Sequence, residues 1–216
     1  MRLLSVNAGQ PRVVWWKGRM VSTSIFKQPI TGRVRLGQMN LDGDRQADLS
    51  VHGGPLKAVY VYPSEHYEFW RRELPGIAWQ WGMFGENFTT QGLREDAVRI
   101  GDRFRIGSAV VQVTQPRVPC FKLAAKFGRD DIIRRFLRSG RSGFYLAVVE
   151  EGEVGVGDEI QLLTQARESR TVAEINRLFA ADKYNAELLQ RAVNIRELPA
   201  GWRQHFLQRM MEAQRR

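Results

Sequence analysis

The sequence predicts a mainly β domain, closed or nearly closed as a barrel with helical insertions, followed by a small three-helix appendage. Three observations carry that expectation. Residues 1 to about 163 alternate short β-branched segments with glycine-rich turns, and two helical patterns interrupt them. From residue 164 onward the apolar spacing turns helical throughout. The expected division is therefore a barrel domain over 1–163 and a C-terminal extension over 164–216.

In chain order, strands are expected at Arg2 to Asn7, Val21 to Phe26, Lys57 to Tyr62 and Ala97 to Ile100. Four more follow at Arg103 to Ile106, Ala109 to Thr114, Phe144 to Val149 and Glu159 to Leu163. Several alternate in the period of a pleated strand: Val21, Thr23 and Ile25 share a face, as do Phe104 and Ile106. Gly101-Asp102, Gly107-Ser108 and Gly157-Asp158 mark turns between them. The first insertion is a helix capped by Ser64 that ends near Leu74, before Pro75-Gly76. The second starts just after Pro119, breaks at Gly128, and resumes from Asp130 to Leu137. In the extension, Thr171 and Glu174 fit a capping box ahead of Ile175, Leu178 and Phe179. Leu188, Leu189, Ala192 and Val193 form a second apolar stripe, and Pro199 opens a third with Trp202, Phe206 and Met210.

Composition narrows the function. The 216 residues are 43% hydrophobic and 26% charged, which excludes wholesale disorder. The longest apolar run, Phe144 to Val149, is far short of the ~20 residues a bilayer requires. The opening residues lack an apolar leader, so a cytoplasmic protein is expected. One cysteine, Cys120, excludes an internal disulfide and an iron–sulfur cluster. With three histidines and no ligand spacing, a structural zinc site is not supported either. The formal charge is +10, with Arg far outnumbering Lys. That balance fits nucleic acid, a phosphorylated cofactor, an acidic protein partner, or simply a solvated basic surface.

Three segments could carry chemistry. Gln115-Pro116-Arg117-Val118-Pro119-Cys120 leaves a strand, passes two prolines and presents the lone thiol at a helix start. The helix terminus and Arg117 both favour a thiolate, although lone cysteines are more often small buried hydrophobes. His52-Gly53-Gly54, with Lys57 beyond it, offers backbone amides, a point charge and a proton donor to an anion, or serves as a plain loop. Gly85-Glu86-Asn87 could line a cavity mouth, Asn87 both donating and accepting toward a heterocycle, or form an Asx turn. Tyr145 adds a polar tip or a core ring.

In this order, with Tyr62-Pro63-Ser64-Glu65-His66-Tyr67 between them, these motifs resemble the MOSC domain, the sulfurase C-terminal domain associated with the molybdenum cofactor. The three-helix extension is similar to that of the YiiM-like subfamily. The resemblance implies a β-barrel holding a molybdenum cofactor (molybdopterin), with Cys120 ligating the metal. It also implies reduction of N-hydroxylated compounds such as hydroxylaminopurines, hydroxylamines and amidoximes. The residues suit that role: a soft thiolate for molybdenum, and Lys57, Arg117, Asn87 and the His52-Gly53-Gly54 amides for the cofactor's phosphate and heterocycle. His52 is assigned proton donation or a structural hydrogen bond.

Without a possible iron–sulfur cluster or a dinucleotide-binding fingerprint, electrons are expected from a separate donor, a flavin reductase or a ferredoxin-like protein. The alternative within the family makes Cys120 a persulfide carrier in cofactor or metal-cluster assembly. A DNA-binding tail is disfavoured: Trp202, Phe206 and Met210 read as packing residues, and ten basic against six acidic residues give the tail only +4. The tail is expected to pack on the barrel or on a second subunit of a homodimer, and it could cover the site.

Overall fold

The computed structural model describes residues 1–48 and 53–214. Strands β1 (Arg2–Ala8), β2 (Arg12–Trp16), β3 (Arg19–Thr23), β4 (Gln28–Pro29) and β5 (Arg33–Leu36) come first. A single 3-10 turn, Pro55–Lys57, then leads into β6 (Val59–Pro63), α1 (Glu65–Glu73), β7 (Phe88–Gln91), β8 (Arg103–Ile106) and β9 (Ala109–Pro116). Next come α2 (Phe121–Phe127), α3 (Ile132–Ser139), β10 (Phe144–Glu150), β11 (Gly152–Gly155) and β12 (Ile160–Thr164). The chain closes with α4 (Val172–Ala180), α5 (Ala186–Val193) and α6 (Ala200–Gln214).

Eight strands form one sheet in the order β12-β8-β9-β10-β6-β7-β1-β4, with β6 and β7 parallel. Of the closed or nearly closed barrel expected, no closed barrel is found among the described residues. The two-residue strand β4 takes the end of one edge of β1, at Asn7 and Ala8. What remains of that edge meets the turn before β12 through an isolated Arg2–Glu159 bridge and the bonds Leu3 N–H to Asp158 O and Ile160 N–H to Met1 O. The ends of the sheet are thus stitched over a few residues rather than paired along a ladder.

Local chemistry explains the elements. In the β2–β3 hairpin Lys17 and Gly18 both have positive φ, 49° and 77°, as a two-residue turn with the strands' own twist requires. Thr171 caps α4: its Oγ1 accepts from Glu174 N–H at 3.1 Å while Glu174 Oε2 accepts from Thr171 N–H at 2.8 Å. Glycines at 128 and 140 end α2 and α3 in the left-handed conformation. The strand expected at Ala97 to Ile100 is instead a turn that touches the tail through an Arg99–Thr171 bridge. Strands β2, β4, β5, β7 and β11 were not anticipated.

Period-two alternation on β6 and β10 divides the interior. Val59, Val61, Phe144, Leu146 and Val148 join a mostly aliphatic core that also contains Ile175, Leu178, Leu189, Ala192 and Phe206 of the C-terminal helices. Tyr60 and Tyr62 turn the other way, into an aromatic core with Tyr67, Trp70, Phe84 and Phe136, against which Tyr145 packs.

Candidate functional site

The C-terminal ends of β9 and β3, the 44–47 segment, the 3-10 turn and the 84–87 loop converge on a cleft enclosing about 700 Å³, counting its open mouth. Among the described residues its lining carries five basic side chains, Lys27, Arg45, Lys57, Arg117 and Lys122, against one carboxylate, Asp44.

Pro119 delivers the chain into Cys120, whose backbone is extended (φ −122°, ψ 171°) and caps α2, with its C=O accepting from Leu123 N–H at 2.9 Å. This places the half-buried thiol in the cleft lining. Arg117, three residues earlier, is 5% exposed. Its guanidinium carbon lies 5.2 Å from the Tyr60 ring centre and 5.0 Å from that of Phe136. Burial works against the charge, but Tyr60, Tyr145 and Cys120 around it more than compensate, and its pKa stands above the ordinary value. Arg117 Nη1 is a buried donor with no acceptor among the described residues. A buried cation in the lining of a cleft, with a donor left unmatched among the described residues, suits an incoming anion.

Lys57 also lines the cleft, and burial lowers its pKa. Gly53 lines it with φ +84°, where a Cβ would come to 3.0 Å from Gln46 Cγ. Gly54 stands outside the lining, at the start of the 3-10 turn. His52 lies outside the described residues, as do 49–51.

Asn87 lines the cleft but is already occupied. Its Oδ1 accepts from Tyr60 N–H at 3.1 Å, and its Nδ2 donates to Asn7 O at 3.3 Å and Asp44 Oδ2 at 2.8 Å. With both amide hydrogens used, Asn87 orients Asp44 instead of reading a heterocycle. Asp44 in turn accepts from Gly9 N–H at 2.8 Å and forms a buried ion pair with Lys27. Burial still holds the Lys27 pKa below its usual value despite Asp44. Glu86 is not a lining group either. It is fully buried and binds its own loop, accepting from Gly82 N–H, Phe84 N–H, Thr89 Oγ1 and the Tyr67 hydroxyl. Burial raises its pKa. Lys126, beneath the same loop, donates to Ile25 O at 2.9 Å and Gly82 O at 2.6 Å, and burial lowers its pKa to about 8.

The cleft thus unites Cys120, Arg117, Lys57, Gly53 and Asn87, with Tyr145 beside Arg117. Sequence reasoning did not single out Lys27 or Asp44, which lie in no recognisable motif; Lys122 belongs to the motif around Cys120, which runs on through Phe121-Lys122-Leu123, but was given no role. No lining residue lies beyond Tyr145 among the described residues, so the tail supports the sheet and does not cover the site.

A thiol at the floor of a cationic cleft on this sheet belongs to a known class. Residues 48–161 match the MOSC domain, and residues 171–213 match the YiiM-like 3-alpha helix domain. The chain is a MOSC-domain protein of the YiiM-like group. It is 42% identical over 211 residues to the uncharacterized protein YflK of Bacillus subtilis, a match covering 96% of this chain and 93% of YflK. A protein of Gibberella moniliformis named reductase is 33% identical over 199 residues, which are 89% of this chain and 35% of that protein. Among solved structures, YiiM from Geobacillus stearothermophilus superposes with a TM-score of 0.81 at 33% identity, covering 97% of this chain and 98% of that one.

Proposed function

We propose that the chain is a molybdenum-cofactor-dependent oxidoreductase that reduces N-hydroxylated compounds: hydroxylaminopurines, hydroxylamines and amidoximes. The MOSC family supports the cofactor, and the fungal relative's name supports the reaction class. One structural observation carries the reading: the lone thiol and a buried arginine, one of whose donors has no acceptor among the described residues, line the same cationic cleft.

The residues fit the cofactor. Cys120 is the protein ligand for the metal, since a thiolate matches molybdenum already held by sulfur. Arg117, with Lys57 and the Gly53 amide, would hold the cofactor's phosphate. Lys27 is neutralised by Asp44 and keeps that wall rigid. When bound, the cofactor supplies two-electron redox chemistry at the N–O bond. The overall change converts R–NHOH, two electrons and two protons into R–NH2 and water. His52, next in sequence to the cleft-lining Gly53, is the proposed proton donor, and the electrons come from a separate donor protein.

Protein purified from a cofactor-competent host is expected to carry about one molybdenum per chain, and Cys120→Ser to lose more than about ten-fold of it. Wild-type protein should then reduce a panel of N-hydroxylated bases and amidoximes with a reduced viologen dye. Metal-free wild-type protein bearing a Cys120 persulfide by mass spectrometry would replace this reading with sulfur transfer.

A further inference from the structure

A second groove lies between α1 and α3. Arg134, Arg135, Arg138 and Arg141 line it with Phe69 and Trp70, and Glu73 is its sole carboxylate among the described residues. Glu73 and Asp131 pair with Arg135 at 3.2 and 2.7 Å. Arg134 and Arg138, one helical turn apart and both exposed, have no carboxylate partner among the described residues. Neither does Arg141, which is held flat over the Phe69 ring at 3.8 Å. Such a cluster repels itself and is relieved by an acidic surface.

The groove is also joined to the cleft by rings. Trp70, in the groove wall, stacks on Phe136 with centroids 6.1 Å apart and planes 12° apart. Phe136 also lies 5.0 Å from the Arg117 guanidinium carbon, and Tyr62 stacks on the same ring. Trp70 and Phe136 thus form a chain of ring contacts running from the arginine groove to the buried cation of the site.

We propose that this groove is the docking surface for the electron donor, an acidic flavin-carrying protein. The inference rests on the reductase reading given above. Each docked carrier passes one electron from its reduced flavin, which is thereby oxidised by one electron. Two dockings supply the pair that, with two protons from solvent, cuts the N–O bond to give amine and water. Arg134, Arg138 and Arg141 meet carboxylates of the carrier, so association weakens with salt.

The test titrates flavodoxin, an acidic one-flavin carrier, onto the full chain by calorimetry at low and moderate salt. Arg134→Glu/Arg138→Glu is expected to weaken binding by about ten-fold or more. Arg103→Glu/Arg105→Glu, which makes the same charge change at exposed positions on β8, should weaken it far less. Turnover driven by reduced flavodoxin should fall with affinity in the groove variant, while turnover driven by viologen holds. Equal affinity in wild type and groove variant, or no binding to wild type at low salt, overturns the proposal. So does a short single-stranded oligonucleotide that binds the groove in preference to flavodoxin. Affinity is read without turnover, so a wild-type chain that binds flavodoxin yet reduces nothing with viologen sinks the reductase reading and not the docking surface.

Discussion

Beneath the cleft the interior is packed with rings that end in polar atoms, whereas around the C-terminal helices it is packed with branched aliphatic chains. In the aromatic core each tip finds a partner. The Tyr60 hydroxyl donates to Ser142 O at 2.9 Å, Trp70 Nε1 donates to the Tyr62 hydroxyl at 2.7 Å, and the Tyr67 hydroxyl meets Glu86. Burial raises the pKa of all three tyrosines, so they stay neutral donors. The aliphatic core has no such requirement. The difference separates tasks: one core supplies free energy by removing apolar surface from water, and the other spends part of that gain to hold charged groups in fixed positions.

The largest expected effect tests the aliphatic side. Phe206 is fully buried in the aliphatic core beside Trp202, and Phe206→Ala should cost about 3–5 kcal/mol in urea unfolding. The folded fraction should still take up molybdenum; loss of uptake in folded protein would break the separation. A smaller effect belongs to the ring side. Between its folded pKa of about 8 and its ordinary 10.5, Lys126 binds fewer protons folded than unfolded. Stability contributed by this group therefore rises as pH climbs through that window. Lys126→Met should flatten the rise, read as the wild-type-minus-variant slope of unfolding free energy from pH 8 upward. The smallest effect falls on the site itself. Arg117→Met removes a buried cation whose Nη1 has no acceptor among the described residues, so stability should stay level or gain about 1 kcal/mol while molybdenum retention falls. A large loss of stability would show that Arg117 is structural.

How far the sequence was legible depends on whether a feature was written locally. The capping box at Thr171, the glycine stops at 128 and 140, and the Cys120 helix start each involve neighbours within four residues, and each stands as read. Strand β7 was hidden because Phe88–Gln91 has two threonines and a glutamine, yet it is parallel to β6 and central. The β2–β3 hairpin was half missed because Lys17 occupies a positive-φ position that asparagine or glycine would have advertised. In the site, the residues near Pro119 and Gly53 were visible as motifs. The Lys27–Asp44–Asn87 node was not, because its members lie 17 and 43 residues apart and meet only after folding.

One further consequence follows from how the tail is sewn on. Val172 N–H reaches Val98 O at 2.9 Å, Ala173 N–H reaches Glu95 O at 2.9 Å, and Asn176 Nδ2 reaches Gly140 O at 3.1 Å, while Ile175 and Leu178 fill the common interior. A relative's three helices could not be grafted here as a cassette: the recipient would need matching hydrocarbon on its sheet and the same backbone seam at 95–98. A change to either side of that seam is therefore expected to need a matching change on the other.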